Sequence, residues 1–168
     1  MAITTSNLQK LLTGGASNTD PNLSLGGAPS TTQLVNSAKN NLFNKVTAQQ
    51  AEDGLVDYRC EALKNNHGSL VYKAVKVWIR QNTSSGDTSV KIGASAQGIN
   101  AAPTAISDDE TAPSGVSFTT PATEAAAISI GDIPAGQYFC YWTERTVEAN
   151  AAAAADQYQI EVIGETDA

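Results

Sequence analysis

Apolar and polar residues alternate with a period of two over long stretches in the middle and C-terminal parts of this chain. The alternation is regular at 56–62, 89–94 and 158–162, and the runs at 70–80 and 138–147 are rich in the aromatic and β-branched residues that strands favour. Because successive side chains of a β-strand point to opposite faces, this period is typical of strands with one buried face. In the first run we expect the apolar side chains to point inward and the charged ones toward solvent. The pattern predicts a fold built mainly from strands.

Turn-forming residues separate these strands, and signals for helices are few. Thr47 and Gln50 have the spacing of a capping box and Gly54 follows as a stop, which predicts one short helix at about residues 48–53. Further short strands are expected at 115–119 and 126–130. Six or seven short strands with almost no helix indicate an all-β fold, an antiparallel β-sandwich of either Ig-like or jelly-roll type.

Two connections between strands are expected to be hairpins. The turn-like residues 66–68 predict that the strand at 70–80 folds back on the preceding strand. The alanine run 151–155 is too short to hold a helix alone, so a hairpin loop is expected there. The predicted inward positions of the sandwich are Tyr58, Val75, Val77, Tyr138, Cys140, Ile160 and Val162.

The first thirty residues differ in composition from the rest. They are rich in Ser, Thr, Asn and Gly, and they contain Asp20-Pro21 and two Gly-Gly pairs, which interrupt regular structure. The leucines within residues 8–12 support at most one short amphipathic turn. We therefore expect an extended N-terminal arm over residues 1–30 and a β-sandwich domain over residues 31–168. Two interpretations of the arm stay open: a frayed terminus, or a segment that becomes ordered against a neighbouring subunit.

The charge balance limits the partners of the chain. Ten Lys and Arg residues against seventeen Asp and Glu residues give a net charge of −7. An acidic chain is poorly suited to nucleic acid or to an anionic membrane surface, since both attract basic residues. No apolar run approaches the ~18 residues that a membrane span requires, and the N-terminus lacks the features of a signal peptide. We expect a soluble protein made in a cytoplasm.

Two segments with polar side chains could support chemistry, and neither has the pattern of a site. Asp108-Asp109-Glu110 offers oxygen ligands for a hard cation, but it lacks the spaced order of a calcium loop. We expect a solvated acidic loop. His67 lies in a turn and has no carboxylate partner nearby in sequence, so we expect a solvent-facing residue and no catalytic base.

The cysteines and tryptophans are also interpreted as structural residues. Cys60 and Cys140 fall in alternating strands of a chain without a secretion signal, so both are expected to be reduced and buried. Trp78 and Trp142 could stack on a sugar, but their positions in the two best strands favour the core. The sequence therefore predicts a non-enzymatic domain with no catalytic residue, no metal ligand and no cofactor.

Several short motifs occur in a fixed order along residues 21–166. They are Leu25–Ala28, Asn40–Phe43, Lys76–Ile79 with Asn82-Thr83, Thr111–Phe118, and Gly131–Gln137 leading to Trp142 and Arg145–Val147. This order resembles small virion proteins of tailed bacteriophages, a group that includes the head decoration, or cement, proteins.

The resemblance implies a structural role in a virion. Proteins of this kind are compact β domains that bind the outer surface of the shell formed by the major capsid protein, often as homotrimers or other homo-oligomers. Bridging several subunits makes the attachment multivalent, so that modest contacts add up to a large effective affinity. The family has no catalytic residue to carry over. Assembly in the cytoplasm of the bacterial host fits the expected location.

Two other functions remain open from the sequence. One is a tail- or fibre-associated β module that binds a host receptor or glycan through exposed aromatic residues. The other is a connector or tail-tube component. Copy number separates them from a decoration protein, which is present in far more copies per particle. A hydrolase fits the sequence least well.

Overall fold

Two antiparallel sheets face each other in the computed structural model, which describes residues 2–166. Eight strands and one α-helix, α1, follow one another along the chain. Their bounds are β1 Leu8–Thr13, β2 Pro29–Gln33, α1 Ala48–Asp53, β3 Leu55–Asn65, β4 Tyr72–Gln81, β5 Thr88–Ala94, β6 Ile128–Ile133, β7 Tyr138–Val147 and β8 Gln159–Thr166. No helix within 2–166 is long and apolar enough to cross a membrane.

The two sheets contain five and three strands. The larger sheet has the order β2-β1-β3-β7-β5, and the smaller has the order β6-β4-β8. Every pairing between strands is antiparallel. The predicted all-β antiparallel sandwich is therefore confirmed.

A hydrophobic core lies between the two sheets. At one end the side chains of Leu63, Phe139 and Tyr141 from the larger sheet are buried with Tyr72 and Val75 of β4. Toward the other end Val77 and Ile79 of β4 pack with Val90 and Ile92 of β5. Each fully buried side chain of this size contributes roughly 1.5–3 kcal/mol through removal of its surface from water, so this core dominates the stability of the fold.

The opposite face of the larger sheet is also buried, because the segment 95–127 crosses it. Residues such as Cys60 and Trp142 on this face pack against Ile106, Val116 and Phe118 of that segment. The approach is so close that a Cβ atom on Gly93 of β5 would lie 2.8 Å from the carbonyl oxygen of Ser117. The molecule thus has three layers, and the larger sheet is the middle one.

The segment 95–127, which we call the covering segment, decides which face of β3 lies between the sheets. We expected the apolar residues of 56–62 to face the interior and the charged residues to face solvent. Instead, the charged side chains lie between the sheets, with Asp57, Arg59 and Glu61 at most 4% exposed. The apolar residues Tyr58 and Cys60 are buried against the covering segment. Both faces are inside, and so the prediction of a solvent-facing charged side is wrong.

The other predicted inward positions divide between these two cores. Val75 and Val77 lie between the sheets and are fully buried. Cys140 is fully buried on the opposite face, and Tyr138 packs partly buried beside it. Ile160 and Val162, both partly buried, line the core between the sheets.

Neither predicted hairpin is present, because both connections cross from one sheet to the other. β3 already has β1 and β7 as its neighbours, so β4 begins the smaller sheet. Asn65 holds this crossover, since its Nδ2 donates to the carbonyl oxygens of Leu70 (2.8 Å) and Ile133 (2.9 Å). The alanine run 151–155 likewise leads from β7 of the larger sheet to β8 of the smaller one.

The helix prediction is confirmed in its details. Thr47 Oγ1 accepts a hydrogen bond from the backbone N–H of Gln50, and Gln50 Oε1 accepts one from the backbone N–H of Thr47. Gly54 ends α1 with φ = 83°, a conformation that favours glycine. Of the two short strands expected, 126–130 corresponds to β6 and 115–119 makes a single bridge, Ile92 to Thr119.

The N-terminal residues differ most from expectation. Residues 8–13, expected in an extended arm with at most a helical turn, form β1 between β2 and β3 of the same chain. Leu11 is buried on one face of the sheet and Leu12 on the other. The two leucines pack in different apolar clusters, one on each face of the sheet. Their burial holds this six-residue strand in place, although its sequence has no long alternating pattern.

Candidate functional site

Several charged side chains are buried between the sheets, among them Asp57, Arg59 and Glu61. At their centre is the cross-strand pair of Asp57 on β3 and Arg145 on β7. Arg145 Nε donates to Asp57 Oδ1 at 2.9 Å and Arg145 Nη2 to Oδ2 at 2.6 Å. Burial raises the pKa of Asp57, and the guanidinium of Arg145 opposes that shift. Two parallel hydrogen bonds make this a strong and directional pair.

A second arginine extends this group to the covering segment. Arg59, fully buried, donates from Nη1 to the carbonyl oxygen of Tyr58 and from Nη2 to Oδ2 of Asp109, both at 2.9 Å. The ring of Phe43 lies under both guanidinium groups, with its centroid 5.5 Å from Arg59 Cζ and 4.7 Å from Arg145 Cζ. Such cation–π contacts add to the ion pairs where water is excluded.

Glu61 completes the buried group without a cation. Its carboxylate accepts hydrogen bonds from the hydroxyls of Tyr141 and Thr143, each at 3.0 Å. Burial, reinforced by this carboxylate, raises the pKa of Tyr141 well above its ordinary value. The whole group joins β3, β7 and the segments that flank them. We interpret it as a structural network of ion pairs and hydrogen bonds that stabilises the fold, and we call it the buried charge network.

The acidic run 108–110, expected to be a solvated loop, makes both local contacts and a distant one. Asp108 accepts hydrogen bonds from Ser107, Thr111 and the backbone of Glu110, and the bonds from Thr111 and Ser107 lower its pKa. Asp109 pairs with Arg59. Among residues 2–166 no group of three or more His, Cys, Asp or Glu side chains is arranged to hold a metal ion.

His67 stabilises the turn in the crossover from β3 to β4. Its Nδ1 accepts hydrogen bonds from the backbone N–H groups of Ser69 (3.1 Å) and Leu70 (2.9 Å). The side chain, expected to face solvent, is half-buried. Both acceptor bonds serve the turn itself.

The two cysteines lie diagonally across β3 and β7 on the same face of the sheet. Cys60 is opposite Trp142, and Cys140 is opposite Ala62. Both are fully buried and free, and burial followed by the neighbouring thiol raises the pKa of Cys60 well above its usual range. The nearby arginines of β3 and β7 point to the opposite face. A reactive thiolate needs a basic, partly exposed setting, which this is not.

The tryptophans belong to the packed interior, as expected. Trp142 is 1% exposed and Trp78 is 8% exposed. Neither ring can stack on a sugar at the surface in this arrangement.

One area of the surface differs from the rest, and we call residues 12–41 of it the N-terminal face. It contains a groove of about 250 Å³ whose lining is half apolar and half polar: Leu12, Pro21, Leu34, Val35 and Ala38 on the one hand, and Thr19, Thr32, Gln33, Lys39 and Asn41 on the other. Two large apolar side chains of this face are well exposed, Leu23 by 59% and Val35 by 65%.

The charge of this region is also unusual for the chain. Residues 21–51 contain Lys39 and Lys45 and no Asp or Glu, although the whole chain carries seventeen carboxylates. The lack of Asp and Glu in this region can be read from the sequence. The groove cannot, because it depends on how β1, β2 and the residues after β2 are placed. Asp20 is the one carboxylate of the N-terminal face, which sets this face apart from the rest of an acidic protein.

Comparison with known proteins gives no relative to guide this interpretation. No family model, no curated protein and no solved structure matches the chain.

Proposed function

We propose that this chain is a non-enzymatic structural protein of a tailed-bacteriophage virion. In this proposal it is a head decoration, or cement, protein that binds the outer surface of the major capsid protein shell and stabilises it. It would be made in the bacterial cytoplasm and end on the capsid surface.

The observation that supports this proposal most is where the resembling motifs lie. Phe43, from the motif at 40–43, contacts Arg145, from the last motif, through its ring. The motif at 111–118 supplies Val116 and Phe118, which cover Trp142. The residues that carry the resemblance are thus the packing contacts of the three layers, so a chain sharing them is expected to share the compact β domain.

The buried charge network also suits a protein that stabilises a shell. A bridging domain transmits load only if it does not deform, and buried, hydrogen-bonded ion pairs make deformation costly because separating them leaves charges uncompensated. Many copies, each binding more than one capsid subunit, would then resist the separation of those subunits. Multivalency makes this possible with modest individual contacts.

Binding to shells tests the proposal directly. Purified protein is mixed with mature, undecorated shells of the phage that encodes it, and the pelleted shells are analysed for copy number and for the temperature at which they release DNA or disassemble. We expect saturable binding at hundreds of copies per shell and a higher temperature. An unrelated protein of similar size and net charge serves as the control for nonspecific binding.

The same measurement separates the alternatives. A handful of copies located at the tail would favour a receptor-binding module, and a few copies at the portal would favour a connector. Either result, or no binding to mature shells, would overturn the decoration proposal.

A further inference from the structure

We infer that residues 101–118 of the covering segment open and close over the middle sheet while the two-sheet sandwich stays folded, and that the ion pair between Arg59 and Asp109 holds them closed. This is a conformational change within a single chain. It lies beyond the proposed function and does not depend on it, since it needs no shell.

Both ends of this part of the chain are fixed to the larger sheet. Before it, the backbone N–H groups of Ser95 and Asn100 donate to carbonyl oxygens of β7 at 3.1 and 2.7 Å. After it, Thr119 exchanges two backbone hydrogen bonds with Ile92 of β5, each at 2.9 Å. The residues between these ends can therefore move away from the sheet without separating any pair of strands.

Few backbone hydrogen bonds hold the residues between the fixed ends. Within the described chain three of them join residues 101–118 to other segments, and they run from Gly27 to Pro103, from Ile106 to Leu25 and from Tyr58 to Asp109. Irregular connections of this length are uncommon in compact domains and often act as lids or binding loops. A segment with so few bonds opens at a lower free energy than a paired strand does.

The core of the sandwich does not depend on these residues. The two apolar clusters packed between the sheets contain no residue of 101–118. Ile106, Val116 and Phe118 pack instead on the opposite face of the larger sheet, and all three are only partly buried. Opening therefore removes the contacts of one outer layer and leaves the core between the sheets intact.

The ion pair holds this part of the chain at its middle, since Asp109 lies halfway along residues 101–118. Arg59 is fully buried, and its hydrogen bond to the carbonyl oxygen of Tyr58 and its contact with the ring of Phe43 do not involve the covering segment. The side chain of Asp109 is 41% exposed, so it is the partner that moves. Its departure leaves a buried guanidinium without a charge partner, which favours the closed state.

Labelling of thiols measures the opening. Cys60 and Cys140, the two native thiols, are fully buried on the face that residues 101–118 cover. Val77→Cys, in a chain that also carries Cys60→Ala and Cys140→Ala, reports on the core between the sheets, where Val77 is fully buried. Both proteins react with an aromatic disulfide reagent in urea below the global unfolding transition. We expect the native thiols to react at least about tenfold faster than Val77→Cys.

Two substitutions distinguish this opening from unfolding of the whole chain. Val75→Ala removes contacts between the sheets that the closed and open states share, so it should accelerate the labelling of Val77→Cys about tenfold and leave that of the native thiols unchanged. Asp109→Ala destabilises the closed state alone and should accelerate labelling of the native thiols about tenfold or more. Asp108→Ala, which removes a carboxylate that bonds only within its loop, is the matched control and should have little effect.

Amide hydrogen exchange tests the same opening in the unsubstituted chain. The backbone N–H groups of Tyr58 and Ile106 donate across the boundary of residues 101–118, so their exchange reports on its opening directly. We expect their exchange to depend less steeply on urea than that of the β4 amides, because opening exposes less surface than global unfolding. Thermal melts establish that each variant used for labelling is folded.

Three results would overturn the inference. One is equal acceleration of the native thiols and of Val77→Cys by Val75→Ala, because the covering segment would then open only with the whole fold. Another is labelling of the native thiols that Asp109→Ala leaves unchanged. The third, which needs no variant, is the same urea dependence for the Tyr58 amide as for the amides of β4. Shell binding is measured separately, so failure here leaves the proposed function standing.

Discussion

Arg59 of β3 and Asp109 of the covering segment are joined by a 2.9 Å ion pair, although fifty residues separate them in sequence. A second hydrogen bond joins β3 to the covering segment: the backbone N–H of Tyr58 donates to the carbonyl oxygen of Asp109 at 2.7 Å. The covering segment is thereby held on the middle sheet where β3 extends beyond its pairing with β1.

Removing the Asp109 carboxylate should destabilise the fold. Asp109→Ala leaves the guanidinium of Arg59 fully buried without its charge partner, and Arg59 Nε already has no hydrogen-bond partner within residues 2–166. Losing one member of a buried pair costs about 3–5 kcal/mol, and the 41% exposure of the Asp109 side chain reduces this to about 2 kcal/mol. Urea unfolding measures the change.

Asp108→Ala is the matched control for that substitution. Its exposed carboxylate bonds only to neighbours in the same loop, so we expect a much smaller loss of stability than for Asp109→Ala. Equal losses in the two variants would mean that the ion pair with Arg59 does not hold the covering segment.

Alkaline pH should destabilise the protein through its tyrosines. Burial raises the pKa of all five, most strongly for Tyr141 and Tyr158. Above pH ~10 the unfolded chain releases phenolic protons that the folded chain retains. The tyrosine contribution is therefore complete below pH 10 and is lost as the pH rises toward the folded pKa values.

Absorbance at 295 nm and the melting temperature report this together. We expect little phenolate signal from the folded protein at pH 10–11, a falling melting temperature over that range, and ordinary titration in denaturant. Native tyrosines that all titrate near pH 10 with no change in melting temperature would contradict the prediction.

The N-terminal strand should contribute strongly to stability. Leu12 is 1% exposed, so Leu12→Ala should destabilise the fold by about 2–5 kcal/mol through lost burial and a cavity. Leu23→Ala is the matched control at a leucine that is 59% exposed, with an expected change within about 0.5 kcal/mol. Thermal and urea unfolding of both variants provide the comparison, and an unaffected Leu12→Ala variant would mean that residues 8–13 are dispensable for the domain.

The cysteines should be reduced and unreactive in the folded protein. Both are fully buried, and the raised pKa of Cys60 keeps its thiol protonated. Iodoacetamide should modify neither cysteine in native protein and both after unfolding, as read by intact mass. A mass two protons low in protein purified with blocked thiols would instead reveal a disulfide.

The sequence by itself determined the features that depend on neighbouring residues. The helix at 48–53 follows from Thr47, Gln50 and Gly54, which act within one turn. The strand at 55–65 follows from the alternation at 56–62, since a period of two fits only an extended chain, and the strands at 72–81 and 138–147 follow from runs rich in aromatic and β-branched residues. The buried state of both tryptophans and both cysteines also followed, because they lie in these three strands.

Only the tertiary structure decided which faces and edges were used. The alternation in β3 distinguishes two faces but does not say what covers each one. Asp109 of the covering segment is fifty residues from Arg59, and Arg145 is eighty-eight residues from Asp57. These distant partners make it favourable to bury the charged face. The pairing of β1 and the crossovers to β4 and β8 were likewise set by long-range contacts, whose partners no local pattern specifies.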